Sequence, residues 1–258
     1  MSNLVLYEVN DRVGYITLNR PEKRNALSFE FVNEIKSVFK QAEADDHCKV
    51  IVIKSNGEAF CAGADLGYLQ QLQNNTYEEN LADSKNLSEL FRVIYLSKKV
   101  VISLVNGPAL AGGCGLATVC DFCFATPTST FGYTEVKIGF VPAIVMVFLV
   151  RKFGEQKTKQ LLLTGEVIDA SKALEMGLIN YMVDAALIEE EVKKFAVKLC
   201  IQASGQSLSM VKEMVAEVQH LTLDEGLKYA AEMNASARNT EDCKRGIAAF
   251  LSKEKLNW

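Results

Sequence analysis

The stretch NGPALAGGCGLATVCD, residues 106–121, sets four glycines and a proline in an otherwise apolar run of small residues. A buried strand, VVISLVNG from residue 100, leads into it, and a helix-forming run follows. Gly112 and Gly113 then fall in the first turn of that helix, where backbone N–H groups lack intrahelical partners and the helix dipole is positive. Without side chains, these positions let an anionic group approach the main chain. FCAGADL, residues 60–66, is built the same way, with Gly63 and Ala64 following the strand KVIVIKS at 49–55. Two such turns, each offering an N–H, can clamp one oxyanion from two sides. Tight strand-to-helix packing is the other use for the same glycines, and taken alone the residues leave both uses open.

Working outward, LVLYEVNDRVGYITLN alternates about a turn-like Asn10-Asp11 and reads as a two-stranded hairpin. A helix is expected from Ser28 as N-cap, with a stripe at Phe29, Val32, Ile35, Val38 and Phe39. Residues 74–98 turn helical after a polar start, and DFCFATPTSTFG reads as strand and loop. IGFVPAIVMVFLV, residues 138–150, is too short for a membrane span and reads as a buried segment. Beyond Phe153 the pattern is helical apart from GLINYMVD, which starts at Gly177. Strand–helix alternation of this kind indicates stacked ββα units, a mixed core at residues 1–195 and a helical part at 196–258.

Composition narrows the function. The chain has 258 residues, 49% of them hydrophobic, and a net charge of −4 with cations scattered among acids. Nucleic-acid binding by phosphate neutralisation is not expected, nor is a membrane partner. The first dozen residues carry charges and have no signal-peptide layout. Seven cysteines with no framework spacing point to a reduced, cytoplasmic setting. Cys120 and Cys123 form a lone CxxC, read as buried thiols of a strand. There is no GxGxxG, P-loop or GxSxG motif, and His47 and His220, the two histidines, read as surface residues. No ligand cluster for a metal is found.

NRPEKRNALS (19–28), FCAGADL (60–66), NGPALAGGCGLATVCDF (106–122) and FGYTEVKIGFVP (131–142) resemble, in order and spacing, the enoyl-CoA hydratase/isomerase family, the crotonases. LTGEVIDASKALEMGLINYMV (163–183) and the ending RGIAAFLSKEKLNW extend the resemblance over the whole chain. It implies an α/β crotonase spiral of ββα units with a helical C-terminal trimerisation part, as a homotrimer or hexamer. It implies an acyl-CoA substrate whose thioester oxygen is held by the N–H groups of Ala64 and Gly112. Coenzyme A enters only as part of the substrate, and no metal or flavin is implied. Lys23, Arg24, Ala26, Ala62, Asp65, Leu66 and Lys253 match CoA-binding positions.

The family's typical hydratases add water with two glutamates. Here the position of the first is Gly115, and the second matches Glu135. VPAIVMVF also stands where such enzymes carry a PGxGG run. TEVKIGFVPA resembles the bacterial branch that acts on 3-methylglutaconyl-CoA and related branched or acidic acyl-CoAs. The expected activity is hydration or dehydration at C2–C3, with Glu135 shuttling the proton in a pocket walled by Phe131, Phe140 and Val141. A Δ3,Δ2-enoyl-CoA isomerase using the single Glu135 is the alternative, and a non-catalytic acyl-CoA-binding module the second.

Overall fold

Main-chain pairing makes two sheets of this chain. The computed structural model describes residues 4–258, and of Leu66 only the backbone. β1 (Val5–Asn10) and β2 (Val13–Leu18) form the expected hairpin. Its central residues are Asp11 and Arg12, with φ of 53° and 66°, the double left-handed turn that matches strand twist. α1 (Phe29–Ala44) follows, its Ser28 hydroxyl accepting the Phe31 N–H. Phe31, Val32, Ile35, Phe39 and Ala42 are its buried face; Phe29, expected there, is 45% exposed. Then come β3 (Val50–Ser55), α2 (Leu66–Leu72), α3 (Tyr77–Tyr95), β4 (Val100–Val105) and β5 (Ala109–Leu110). α4 (Gly112–Val119), β6 (Phe122–Ala125), β7 (Thr130–Gly132) and α5 (Ala143–Thr164) complete the central region. After it run β8 (Val167–Asp169), α6 (Ala170–Met176), β9 (Tyr181–Met182), α7 (Ile188–Gln202), α8 (Gly205–Glu217), α9 (Leu223–Asn239) and α10 (Glu241–Ser252).

The larger sheet has the order β1-β2-β3-β4-β6-β9, parallel beyond the hairpin; the smaller is β5-β7-β8. Both faces of the larger sheet are covered, so its central strands are apolar throughout. Ile16, Leu18, Ile51, Ile53, Val101 and Val105 pack towards α1, α3 and α4. The alternate residues Val13, Tyr15, Val50, Val52, Ile102 and Leu104 meet Ile188, Val192, Ala196 and Cys200 of α7. Each large apolar side chain so covered contributes about 2 kcal/mol. The boundary drawn between 195 and 196 falls inside α7, which belongs to this packing.

Two expectations change. Residues 138–150 do not form a buried segment. Val145 and Leu149, one turn apart, point into the core, while Ile138, Phe140, Val141, Met146, Val147 and Val150 are exposed. A run apolar on every side carries no signal of which side is inward. β8 also interrupts the region read as helical, pairing antiparallel with β7 over three residues. Cys120 and Cys123 are buried free thiols, each pushed up to about 12 by burial. His47 and His220 are exposed. Among the described residues no helix is long and apolar enough to cross a membrane.

The glycine turns are where the two sheets meet. Cys61 N–H bonds Pro108 O at 3.2 Å and Leu110 N–H bonds Cys61 O at 3.0 Å, a short parallel bridge between the loops. A Cβ at Gly113 would stand 2.2 Å from the Cys61 carbonyl oxygen. Gly113→Ala is therefore expected to cost about 1–3 kcal/mol, since a rigid main chain must shift. Urea denaturation at fixed protein concentration measures it; unchanged stability would mean that the loops are not held this tightly.

Candidate active site

The site is assembled by three short pairings. Residues 24–27 run beside 62–65: Ala62 N–H bonds Arg24 O at 3.0 Å, Leu27 N–H bonds Gly63 O at 2.6 Å and Asp65 N–H bonds Leu27 O at 2.9 Å. In this parallel bridge Leu27 uses the groups that flank Ala64, which leaves the Ala64 N–H unused. Gly63, at φ +93°, lies against the second turn: a Cβ there would be 3.0 Å from both Leu110 O and Ala111 Cβ. Ala64 and Gly112, each one residue past that contact, are thereby brought side by side. β5 pairs with β7 as Ala109↔Phe131 and Leu110↔Gly132. Gly112 and Glu135 lie two and three residues beyond the last pair, so the same register carries the carboxylate to the turn.

Ala111 has φ 49° and ψ −126°, a conformation that L-residues avoid. Its N–H is held by Gly132 O at 2.7 Å. The strain, of order 1–3 kcal/mol, sets the plane of the peptide that carries the Gly112 N–H. Among the described residues the N–H groups of Ala64 and Gly112 have no acceptor. Gly112 also opens α4, so the helix dipole adds to its N–H.

Glu135 starts a 3-10 turn, Glu135–Ile138, and is half-buried. Its Oε2 is buried without a hydrogen-bond partner, and burial raises its pKa above the ordinary 4.5. Beneath it, Tyr133 is fully buried, its hydroxyl 2.9 Å from that of Thr118 on α4. The apolar walls are not all the expected ones. Phe131 is buried, but Phe140 and Val141 are 59% and 60% exposed in the single chain. At Gly115 the packing comes from α5 and α3: a Cβ there would meet Val145 Cγ1 at 2.4 Å and Phe91 Cζ at 3.2 Å. Where the resemblance puts a glutamate, this chain has filled the space with hydrocarbon.

The expected CoA-binding residues divide. Lys23 and Arg24 are exposed cations on the turn at Pro21–Lys23, Arg24 with φ 52°. Ala26 is buried, and Ala62 is half-buried in the loop that bonds Arg24. Asp65 is 9% exposed and caps α2 through the Tyr68 N–H at 3.1 Å. Burial opposes its charge, but that N–H and the Arg20 guanidinium hold its carboxyl below the usual range. Leu66 begins α2, and its side chain lies outside the described residues. Within the single chain Lys253 lies away from these turns, and the resemblance also allows it to act from a neighbouring subunit. It is the exposed cap of α10, on a tail whose Trp258 bonds Ile201 O and accepts from Arg12, next to the start of β2. The turns stand past the opposite ends of the parallel strands β3 and β4.

Two organising residues lie outside the sequence reading. Arg20 pairs with Asp65 at 3.2 Å and donates to Ala26 O at 3.1 Å. Asn25, fully buried at φ 53°, accepts the Arg20 N–H and donates to Asn56 O and Ala59 O, each at 2.9 Å. An asparagine between a turn and an apolar pair was the available signal.

A sequence model of the family described as enoyl-CoA hydratase/isomerase matches residues 8–258. A protein of Rhizobium meliloti named "Probable enoyl-CoA hydratase" is 37% identical over 98% of this chain and 97% of its own length. A "Crotonyl-CoA hydratase" of Syntrophomonas wolfei is 34% identical over 98% and 97%. The crystal structure of an enoyl-CoA hydratase from Shewanella pealeana superposes with a TM-score of 0.93 at 28% identity, covering 99% of this chain and 96% of that one.

Because Glu135 binds its proton more tightly folded than unfolded, folding loses stability as pH rises past 4.5. Glu135→Gln removes that loss. The variant should be more stable than the wild type at pH 7, and the advantage should vanish below about pH 4, where both forms are neutral. Denaturation at both pH values checks this; a variant less stable at pH 7 would mean that Glu135 is paired.

Proposed function

The chain belongs to the enoyl-CoA hydratase/isomerase family, and we propose that it adds water across, or removes it from, C2–C3 of an enoyl-CoA thioester. The observation that carries the reading is the pair of unclaimed N–H groups at Ala64 and Gly112, beside a buried carboxylate oxygen without a partner. The thioester oxygen accepts from both N–H groups. Glu135 takes a proton from water as the water oxygen bonds C3, and the C2=C3 electrons move onto the thioester as an enolate. Glu135 then returns that proton to C2. The raised pKa of Glu135 suits a group that must be base and acid in one turnover. The donors act on charge that forms only in the transition state, the kind of contact that accelerates rather than merely binds. Lys23 and Arg24 are exposed cations suited to the CoA phosphates.

One observation favours a second reading. The Val145 and Phe91 contacts at Gly115 leave no room for a second carboxylate to orient water. An isomerase needs only one base: Glu135 would remove a C2 proton from a 3-enoyl-CoA and deliver it to C4. The polypeptide also leaves apolar faces uncovered in its C-terminal part. Val211, Val215, Leu227, Phe250 and Leu251 are exposed at 56–82%, and we assign them to a trimer contact. The likeness to the 3-methylglutaconyl-CoA branch brings a branched acyl group and a second carboxylate.

Glu135→Gln should lower turnover of a 2-enoyl-CoA by about a hundredfold or more with KM little changed, the size of one positioned proton transfer. Near-normal turnover would remove Glu135 from the role. In heavy-oxygen water the wild type should place label on the C3 hydroxyl. Conversion of 3-enoyl-CoA that far outpaces label uptake would decide for the isomerase.

A further inference from the structure

The Tyr68 hydroxyl donates to Asp83 Oδ1, a pair that takes no part in the proton chemistry. Its place follows from the elements that carry it. Tyr68 lies in the first turn of α2, four residues past Ala64, its N–H fixed by Asp65. Asp83, Leu87 and Phe91 repeat every four residues along α3 and so share one face. Phe91 ends that face at Gly115, beside the filled position. Asn86 of the same helix donates to Phe29 O at 3.5 Å, two residues after Leu27, whose Cδ1 is 3.1 Å from the Cβ position of Gly112. The pair therefore joins α2, which leaves the Ala64 turn, to the face of α3 that runs through Leu87 to Phe91 and Gly115. Among the described residues no Lys, Arg or His bonds Asp83; Tyr68 is its hydrogen-bond partner. Both side chains are half-buried, so the charge is only partly screened.

We propose that Tyr68 and Asp83 select the acyl group. The carboxylate repels an acyl chain that itself ends in a carboxylate. Uncharged short enoyl chains, branched ones included, are left as the substrate class. This rests on the enoyl-CoA reading above. It departs from the acidic half of the branch resemblance, because a site for a dicarboxylic half-thioester needs a cation where this chain has an anion.

The matched substrates 3-methylcrotonyl-CoA and 3-methylglutaconyl-CoA differ by that carboxylate, and crotonyl-CoA gives an unbranched reference. With the wild type, kcat/KM for 3-methylcrotonyl-CoA should exceed that for 3-methylglutaconyl-CoA by about tenfold or more, the size of a partly screened like-charge contact. Asp83→Asn should close the gap through KM of the acidic substrate, leaving the neutral one within about threefold. Tyr68→Phe strips the carboxylate of its donor and should widen the gap, whereas a merely structural role would move both substrates together. Equal or better use of the acidic substrate by the wild type overturns the proposal and leaves the enoyl-CoA reading standing. So does a ratio unmoved by both variants. Turnover of none of the three, with 3-enoyl-CoA also inert, overturns the enoyl-CoA reading and the selectivity with it.

Discussion

Two main-chain contacts govern the rest of this molecule: the Cys61 carbonyl against Gly113, and the Leu110 carbonyl against Gly63. They bring the end of one βα connection against the next more closely than any side chain would permit. The spacing between the Ala64 and Gly112 N–H groups is thereby set by backbone and by the Leu110–Cys61 hydrogen bond, with no rotamer involved. Donors fixed in this way do not reorganise when charge appears between them, which is the condition for electrostatic stabilisation of a transition state. The covered sheet keeps those two loops from drifting apart.

Around this frame the chain gives two carboxylates opposite surroundings. Asp65 has a guanidinium and a helix N-terminus, stays ionised and ties α2 to residues 20–27. Glu135 has no guanidinium, leaves its Oε2 buried without a donor, and holds its proton more readily. Divergent surroundings of this kind separate a carboxylate that stays ionised from one that holds its proton more readily. The asymmetry comes from position: one carboxylate caps a helix, and the other begins a turn without a cation near it.

Sequence periodicity made the hairpin, α1, β3 and β4 readable, because a strand buried on both faces and a helix with one apolar stripe leave distinct spacings. The glycine turns were readable for a different reason: four glycines in sixteen residues are unusual without a close approach to accommodate. Exposure was harder. Residues 138–150 are apolar on every side, so nothing in their order separates Val145, which is inside, from Val147, which is outside. β8 is three residues long and owes its existence to β7, a partner thirty-odd residues away. Arg20 and Asn25 act through main-chain carbonyls of distant loops, and a carbonyl leaves no mark in a sequence. Lys253 was taken from a motif match, and in the single chain its tail is anchored elsewhere.

The contact between Gly115 and Val145 also limits which descendants this sequence can have. A side chain at 115 would meet a short β-branched neighbour that has no flexible end to swing aside, and the ring of Phe91 closes the other direction. A glutamate there would need Val145 to shrink first, and that smaller residue would by itself open a cavity and weaken the core. The two-step route passes through a less stable intermediate in either order. The glycine at 115 is thus guarded by packing, and change in this lineage is easier at exposed positions than at this one.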